Sequence, residues 1–319
     1  MAHALFETQN AWVKSVVESL APPEISVEFF HQHEDNLPAK LARADFMVTI
    51  RVKSDWVPHM TRCKLVQQLG VGYDSVDRRA LHAAGIPLAT TPQGTPQAVA
   101  EHVFMMMLAL YRQTVPIQAS MRAGEFKQFG WREHSHFLFG KTLGIIGLGR
   151  IGKRVARLAH AFDLEIIYND LIAAPDDIAH RYDLTRVSFD DLLQSADIVT
   201  IHTPLTDLTR GFIGMAQFRQ MKADALFINT SRGGTYDMDA LATVLADGHL
   251  RGAGLDVWSP EPPPPHHPIF QFDRVIATPH MASGGVETHH LKAQSPFENM
   301  QRVLKGIAPI NVIPYPDDA

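Results

Sequence analysis

Cysteine is nearly absent: Cys63 is the one thiol in 319 residues. No internal disulfide can form, and the reducing cytoplasm is the expected location. Long apolar runs are missing as well. The longest, Val103 to Tyr111, is far too short to span a bilayer, and the start MAHALFETQNAWVKS lacks the basic and apolar stretches of a secretory leader. No basic run stands out and the net charge is -5, which argues against nucleic acid as the main partner. Histidine is plentiful, with 17 residues. The pairs His31/His33, His134/His136 and His289/His290 nevertheless lack the carboxylate or cysteine spacing of a zinc site, so no metal is expected. Internal repeats of solenoid period are absent too.

What is present describes a globular chain: 45% hydrophobic and 20% charged residues, long enough for one large domain or two ordinary ones. Apolar runs bounded by turn residues predict strands at 25–30, 46–50, 64–69 and 86–90, with amphipathic stretches such as Val76 to Ala84 between them. A long helical pattern runs from Thr95 to about Ala123 with a break expected at Pro116, and its Met105-Met106-Met107 run reads as a buried helix face. The alternation then restarts, with strands expected at 143–146, 165–169, 197–202, 225–229, 253–257 and 275–278. Helices are expected over 151–162, 215–221, 238–246 (N-cap Asp237) and 286–304. Alternating strand and helix implies parallel sheets covered by helices, in two α/β domains.

The stretch LGIIGLGRIGKRVARLAHAFDLEIIYND contains Gly147-Leu148-Gly149-Arg150-Ile151-Gly152. A lone GxGxxG means little. Here it follows a strand, opens a helix and is followed by a second strand ending in Asp170, 18 positions after Gly152. That is the setting of a dinucleotide-binding loop, with Gly147, Gly149, Arg150, Ile151 and Gly152 as expected cofactor contacts. Free amides at the helix N-terminus suit a pyrophosphate. The Asp170 carboxylate suits ribose hydroxyls and repels a 2′-phosphate, and Leu171-Ile172-Ala173 bring no cation, so NAD is expected over NADP.

Three reactive side chains follow three expected strands of the same sheet: Arg232 after FINTS, Glu261 after GLDVWSP and His280 after VIATP. Ligands of open α/β sheets sit at those carboxyl ends. A histidine can move a proton while hydride moves between carbon and nicotinamide. A glutamate beside it holds the ring and favours its protonated form. An arginine grips a substrate carboxylate and polarises a carbonyl.

The chain resembles the D-isomer-specific 2-hydroxyacid dehydrogenases, through GVGYDSVD (70–77), VAEH (99–102), GKTLGIIGLGRIG (140–152), HTPLT (202–206), FINTSRGG (227–234), GAGLDVWSPEP (252–262) and TPH (278–280). The resemblance implies that Arg232, Glu261 and His280 are catalytic, with Arg232 and His280 also facing the cofactor. It implies that the backbone at Val71 and Gly72 holds the substrate carboxylate, and that His202, Thr230, Ser231 and Asp256 line the cofactor. It further implies two Rossmann-like, doubly wound parallel-sheet domains with an active-site cleft between them. These would be a discontinuous substrate domain (1–95 plus 286–319) and an NAD-binding domain (96–285), in a homodimer acting on a 2-hydroxy or 2-keto acid.

Departures from the family pattern fall at Gly285, at Thr95 and at His134-Ser135-His136, all outside the Arg/Glu/His set. Arg51, Lys53 and Arg112 are the cations that a phosphorylated or dicarboxylic substrate would call on. Two rivals to a 2-hydroxyacid enzyme are a non-enzymatic NAD(H)-sensing scaffold of the same fold and a dehydrogenase of another small anion. Finally, SPEPPPPHHP (259–268) puts Glu261 among Pro260 and Pro262 to Pro265. Proline fixes φ, so this segment is expected to be stiff, either holding Glu261 against His280 or merely routing the chain over the surface.

Overall fold

Strands rich in Val, Ile, Leu and Phe alternate with helices, and the strands pair in parallel throughout two sheets. The computed structural model describes residues 1–315. The chain forms two compact units, Met1–Thr95 with Gly284–Ala319, and Pro96–Ser283.

The first unit carries β1 (Ala2–Glu7), β2 (Ile25–Phe30), β3 (Phe46–Thr49), β4 (Leu65–Gln68) and β5 (Leu88–Thr90) in the order β2-β1-β3-β4-β5. Among its helices are α1 (Ala11–Leu20), α2 (Leu37–Arg43) and α3 (Arg78–Ala83). Local chemistry sets their ends. The Asn10 side chain accepts from the Trp12 and Val13 amides, Asp77 accepts from the Ala80 amide, and Gly85 follows α3 with φ of 68°. β1 was not expected. It lies inside the sheet, with Ala4, Leu5 and Phe6 buried, but no turn residue precedes it and alanine is a poor strand signal.

In the second unit, α4 (Thr95–Tyr111), α5 (Thr114–Arg122) and α6 (Gln128–Arg132) precede β6 (Thr142–Ile146) and α7 (Arg150–Ala161). Then come β7 (Glu165–Asn169), α8 (Asp176–Arg181), β8 (Leu184–Arg186), α9 (Phe189–Ser195) and β9 (Ile198–Ile201). The rest is α10 (Met215–Gln220), β10 (Leu226–Asn229), α11 (Met238–Ala246), β11 (Gly252–Leu255) and β12 (Val275–Ala277). The order β12-β11-β10-β9-β6-β7-β8 reverses between β6 and β9, the switch point at which such sheets take ligands. One face packs on α4 and α7, the other on α9, α10 and α11. Met106 and Met107 are buried in the first of these cores while Met105 is exposed, and Gly254 of β11 lets the Met106 sulfur approach the strand.

The long helical pattern breaks earlier than proline suggested. Gln113 takes φ of 54° between α4 and α5, and Pro116 sits in the first turn of α5, where a missing N–H costs no bond. The short edge strand β8 was also not expected, since a mostly exposed Leu-Thr-Arg carries no burial pattern. The chain returns to the first unit as α12 (Val286–Leu304), whose Ala293, Phe297 and Met300 join the core against β1 and β3. There the buried Asn299 amide donates to Gln67 Oε1.

Candidate active site

Four loops leave the carboxyl ends of the second sheet, and each carries part of the site. After β6, Gly147 turns with φ of 91°, and a side chain there would meet the His202 and Thr203 backbone at 2.9–3.0 Å. A Cβ on Gly152 would collide with the Gly147 carbonyl, so α7 starts directly against the strand. Gly149 has open space where a side chain would be, at the N-terminus of α7 and without a side-chain cap. Arg150 and Ile151 form the first turn.

Asp170 ends up beside this loop for a reason that sequence did not reveal. Its Oδ2 accepts from the Leu148 amide at 2.6 Å, and its Oδ1 from the Ile172 amide at 2.9 Å. Arg186, at the end of β8, donates to the Asp170 and Leu171 carbonyls at 2.8 and 3.1 Å. Each carboxylate oxygen keeps a further lone pair for a ribose hydroxyl.

Next to the glycine loop, at the ends of β9 and β10, His202 Nδ1, Thr203 Oγ1 and Thr230 Oγ1 are buried without a hydrogen-bond partner among the described residues. Buried polar atoms of native proteins are normally paired. Burial pushes the His202 imidazole down to about 3, so the ring is neutral, with Nε2 3.0 Å from Thr200 Oγ1. Orphaned polar atoms, a side-chain-free cradle, open helix amides and a carboxylate at the next strand end together fit a dinucleotide.

The turn after β10 presents Arg232. Buried Asn229 accepts from the Ser231 amide and hydroxyl, each at 2.9 Å, and donates to Thr235 Oγ1 at 3.0 Å. The Thr235 hydroxyl in turn donates to the Arg232 carbonyl at 2.6 Å. Ser231 is therefore held by the turn itself. Arg232 Nη1 donates to the Ser231 carbonyl at 2.7 Å.

Glu261 and His280 meet directly. His280 Nδ1 lies 2.9 Å from Glu261 Oε2 and 3.0 Å from Oε1, so one N–H is shared by the whole carboxylate. The ring Nε2 is then on the side away from the carboxylate. His280 itself holds a left-handed φ of 52°, uncommon for a residue with a side chain. Asp256, fully buried, braces that turn: it accepts from Thr278 Oγ1 at 2.6 Å and from the Met281 and Ala282 amides at 2.8 Å. His102 of α4 adds a contact from Nε2 to Thr278 Oγ1 at 3.1 Å; burial pushes this imidazole below its ordinary value, and the Asp256 carboxylate opposes the shift. The same environment pushes the Tyr236 phenol up, by burial first and by the Glu261 charge second.

In the first unit, Val71 and Gly72 lie in the loop after β4, half-buried, with the Gln68 side-chain amide donating to the Gly72 carbonyl. Arg51 faces Glu7 at 3.8 Å and Lys53 lies over the Trp56 ring, while Arg112 is exposed after α4. Asn229, Thr235 and His102 were missed by sequence reasoning. FINTSRGGT and VAEH flagged their neighbourhoods, but which side chains turn inward is set by the folded turns. Among the described residues there is no helix long and apolar enough to cross a membrane and no cluster of His, Cys, Asp or Glu suited to a metal.

A family model described as "D-isomer specific 2-hydroxyacid dehydrogenase, NAD binding domain" matches residues 104–282. A glyoxylate reductase of Aeropyrum pernix is 36% identical over 287 residues, covering 88% of this chain and 85% of that one. A glyoxylate/hydroxypyruvate reductase B of Citrobacter koseri is 35% identical over 257 residues, covering 80% and 79%. Among solved structures, the TT0316 protein of Thermus thermophilus superposes with a TM-score of 0.86 at 30% identity, covering 98% of this chain and all of that one.

Proposed function

Since the chain belongs to the D-isomer-specific 2-hydroxyacid dehydrogenase family and is an NAD-dependent oxidoreductase, we propose that it interconverts a small D-2-hydroxy acid and its 2-keto acid. Glyoxylate and hydroxypyruvate are the keto acids that its relatives' names point to. The observation that carries the reading is the Glu261–His280 pair at the carboxyl ends of a nucleotide-binding sheet.

NAD, when bound, supplies the carbon that gives or takes the hydride. Gly147, Gly149, Arg150, Ile151 and Gly152 hold its pyrophosphate, Asp170 its ribose, and His202 and Thr230 its remaining polar edge. Ser231 and Asp256 shape that pocket through the turns they brace. In reduction, His280 gives a proton from Nε2 to the carbonyl oxygen as hydride reaches the carbonyl carbon, and in oxidation it takes the hydroxyl proton back. Glu261 holds the ring by Nδ1, which fixes the tautomer and favours the charged form. Arg232 pairs with the substrate carboxylate and stabilises negative charge developing on the carbonyl oxygen. The amides at Val71 and Gly72 offer a further carboxylate contact, making the first unit the substrate-binding domain. With one cysteine in the chain, the reducing cytoplasm suits it, and the exposed aromatics after α5 suit a homodimer.

The test is oxidation of NADH by the purified protein with glyoxylate, hydroxypyruvate, pyruvate, phenylpyruvate, oxaloacetate and 3-phosphohydroxypyruvate, with His280→Ala as control. Turnover that disappears in the control is the expected result. Tight NADH binding without turnover on any of them would instead favour the scaffold reading or another small anion.

A further inference from the structure

Trp258 stands between the β11 strand end and Glu261, and it touches all three loops that present the reactive side chains. Its indole Nε1–H donates to the Thr278 carbonyl at 3.0 Å. That same carbonyl accepts the His280 amide at 3.1 Å, so one oxygen holds both the indole and the left-handed turn of His280. The Trp258 backbone is also the surface on which the Arg232 turn rests: a Cβ added to Gly233 would overlap the Trp258 carbonyl carbon and oxygen. One residue earlier, the Val257 carbonyl accepts from the Tyr236 hydroxyl at 3.2 Å. The ring itself is 6% exposed and packs on Phe270 at a centroid distance of 5.1 Å. Glu261 follows three residues later.

We propose that Trp258 is a positioning residue that sets the register of Glu261 and Arg232 against His280 through the indole–Thr278 hydrogen bond. The inference rests on the dehydrogenase reading above. Its physical basis is that a non-glycine residue at positive φ persists only where its surroundings over-determine it. Asp256 grips the Thr278–Ala282 segment from one side, through Thr278 Oγ1 and two amides. Trp258 grips the Thr278 carbonyl from the other. Phenylalanine in its place keeps an aromatic ring against Phe270 and Gly233 but has no N–H to donate. The Thr278 carbonyl is then left to the His280 amide alone, and the His280 turn can shift away from Glu261. Small misplacements of this kind lower turnover much more than binding. The titratable groups packed around the bond are Glu261, Asp256, His102 and Tyr236, and none of them is altered by the substitution.

The experiment compares wild type, Trp258→Phe and Trp258→Ala for melting temperature, NADH affinity, kcat, KM and the pH profile of 2-keto acid reduction. Trp258→Phe is expected to fold and to bind NADH within about two-fold of wild type, with kcat down roughly ten-fold. Its alkaline limb should move to lower pH, because a loosened carboxylate supports the protonated ring less well. A lower melting temperature with kcat and pH profile unchanged would make Trp258 a packing residue only and overturn the proposal. Should wild type reduce none of the keto acids, the dehydrogenase reading fails by itself. The positioning role is then decided by an NMR titration of the His280 imidazole, assigned with His280→Gln. Superimposable curves in wild type and Trp258→Phe overturn it, and a displaced curve in the variant supports it.

Discussion

His280 Nδ1 lies within 3.0 Å of both carboxylate oxygens of Glu261, although 19 positions and two cis-proline bonds, Ser259–Pro260 and Glu261–Pro262, separate or flank them in the chain. Glu261→Gln keeps an acceptor at the ring but removes the charge. Loss of about 2–3 kcal/mol of transition-state stabilisation, or roughly 100-fold in kcat for reduction, is the expected effect. The alkaline limb should fall to lower pH while KM for NADH changes little. Steady-state kinetics across pH checks this, and an unchanged profile would remove Glu261 from the mechanism. Replacing Pro262 to Pro265 by alanines separates the roles of the proline run: a strut gives a weaker version of the same phenotype, and a surface connector gives none.

The division of the chain into β/α alternation was legible because buried parallel strands are near-continuous apolar runs, as in β9 and β10, where every residue is buried. β1 and β8 were not, one resting on alanine and the other too short and exposed to carry a pattern. The reactive side chains were legible for a different reason, since Arg232, Glu261 and His280 each follow a strand end where ligands gather. Their supports were hidden. Nothing in the spacing of Asn229, Asp256 or Trp258 says that their polar atoms turn inward onto a neighbouring loop. Asp170 shows the mixture: its place after the second strand was readable, but its bond to the Leu148 amide was not.

That bond shapes the cofactor prediction. Wild type should show a clearly higher kcat/KM with NADH than with NADPH, because a carboxylate at the ribose repels a 2′-phosphate. Asp170→Ser should narrow the ratio by about ten-fold, worth about 1.4 kcal/mol. It should also raise KM for NADH, since the glycine loop loses the acceptor for its Leu148 amide. Paired kinetics with both cofactors provide the check. Equal kcat/KM values in wild type would be fatal to the preference.

Burial of His202 has a consequence for acid stability. Its folded value of about 3 is below the ordinary 6.5, so between those values the unfolded chain binds a proton that the folded chain refuses. Above pH 6.5 both forms are neutral and nothing is gained or lost; below it, stability falls as pH falls. The slope from this one group is up to about 1.4 kcal/mol per pH unit. His202→Asn should flatten the decline in melting temperature between neutral pH and mildly acidic pH relative to wild type. Parallel declines in the two proteins would show that the ring does not carry it.

The last prediction concerns association. Phe126, Phe129, Phe137 and Phe139, in the segment from the end of α5 to β6, are between 71% and 79% exposed, and Val115 and Met121 of α5 are exposed beside them in sequence. Single exposed apolar residues are ordinary, but this many aromatic rings in one short segment are the mark of a surface meant to be covered. A second copy of the chain is the partner this reading takes. Sedimentation should give twice the chain mass of 35.5 kDa. Phe126→Ser with Phe129→Ser should shift the protein toward monomer without disturbing the sheet cores, because neither ring belongs to them. A monomeric wild type at micromolar concentration would rule the dimer out, and would leave those rings as a surface for some other protein.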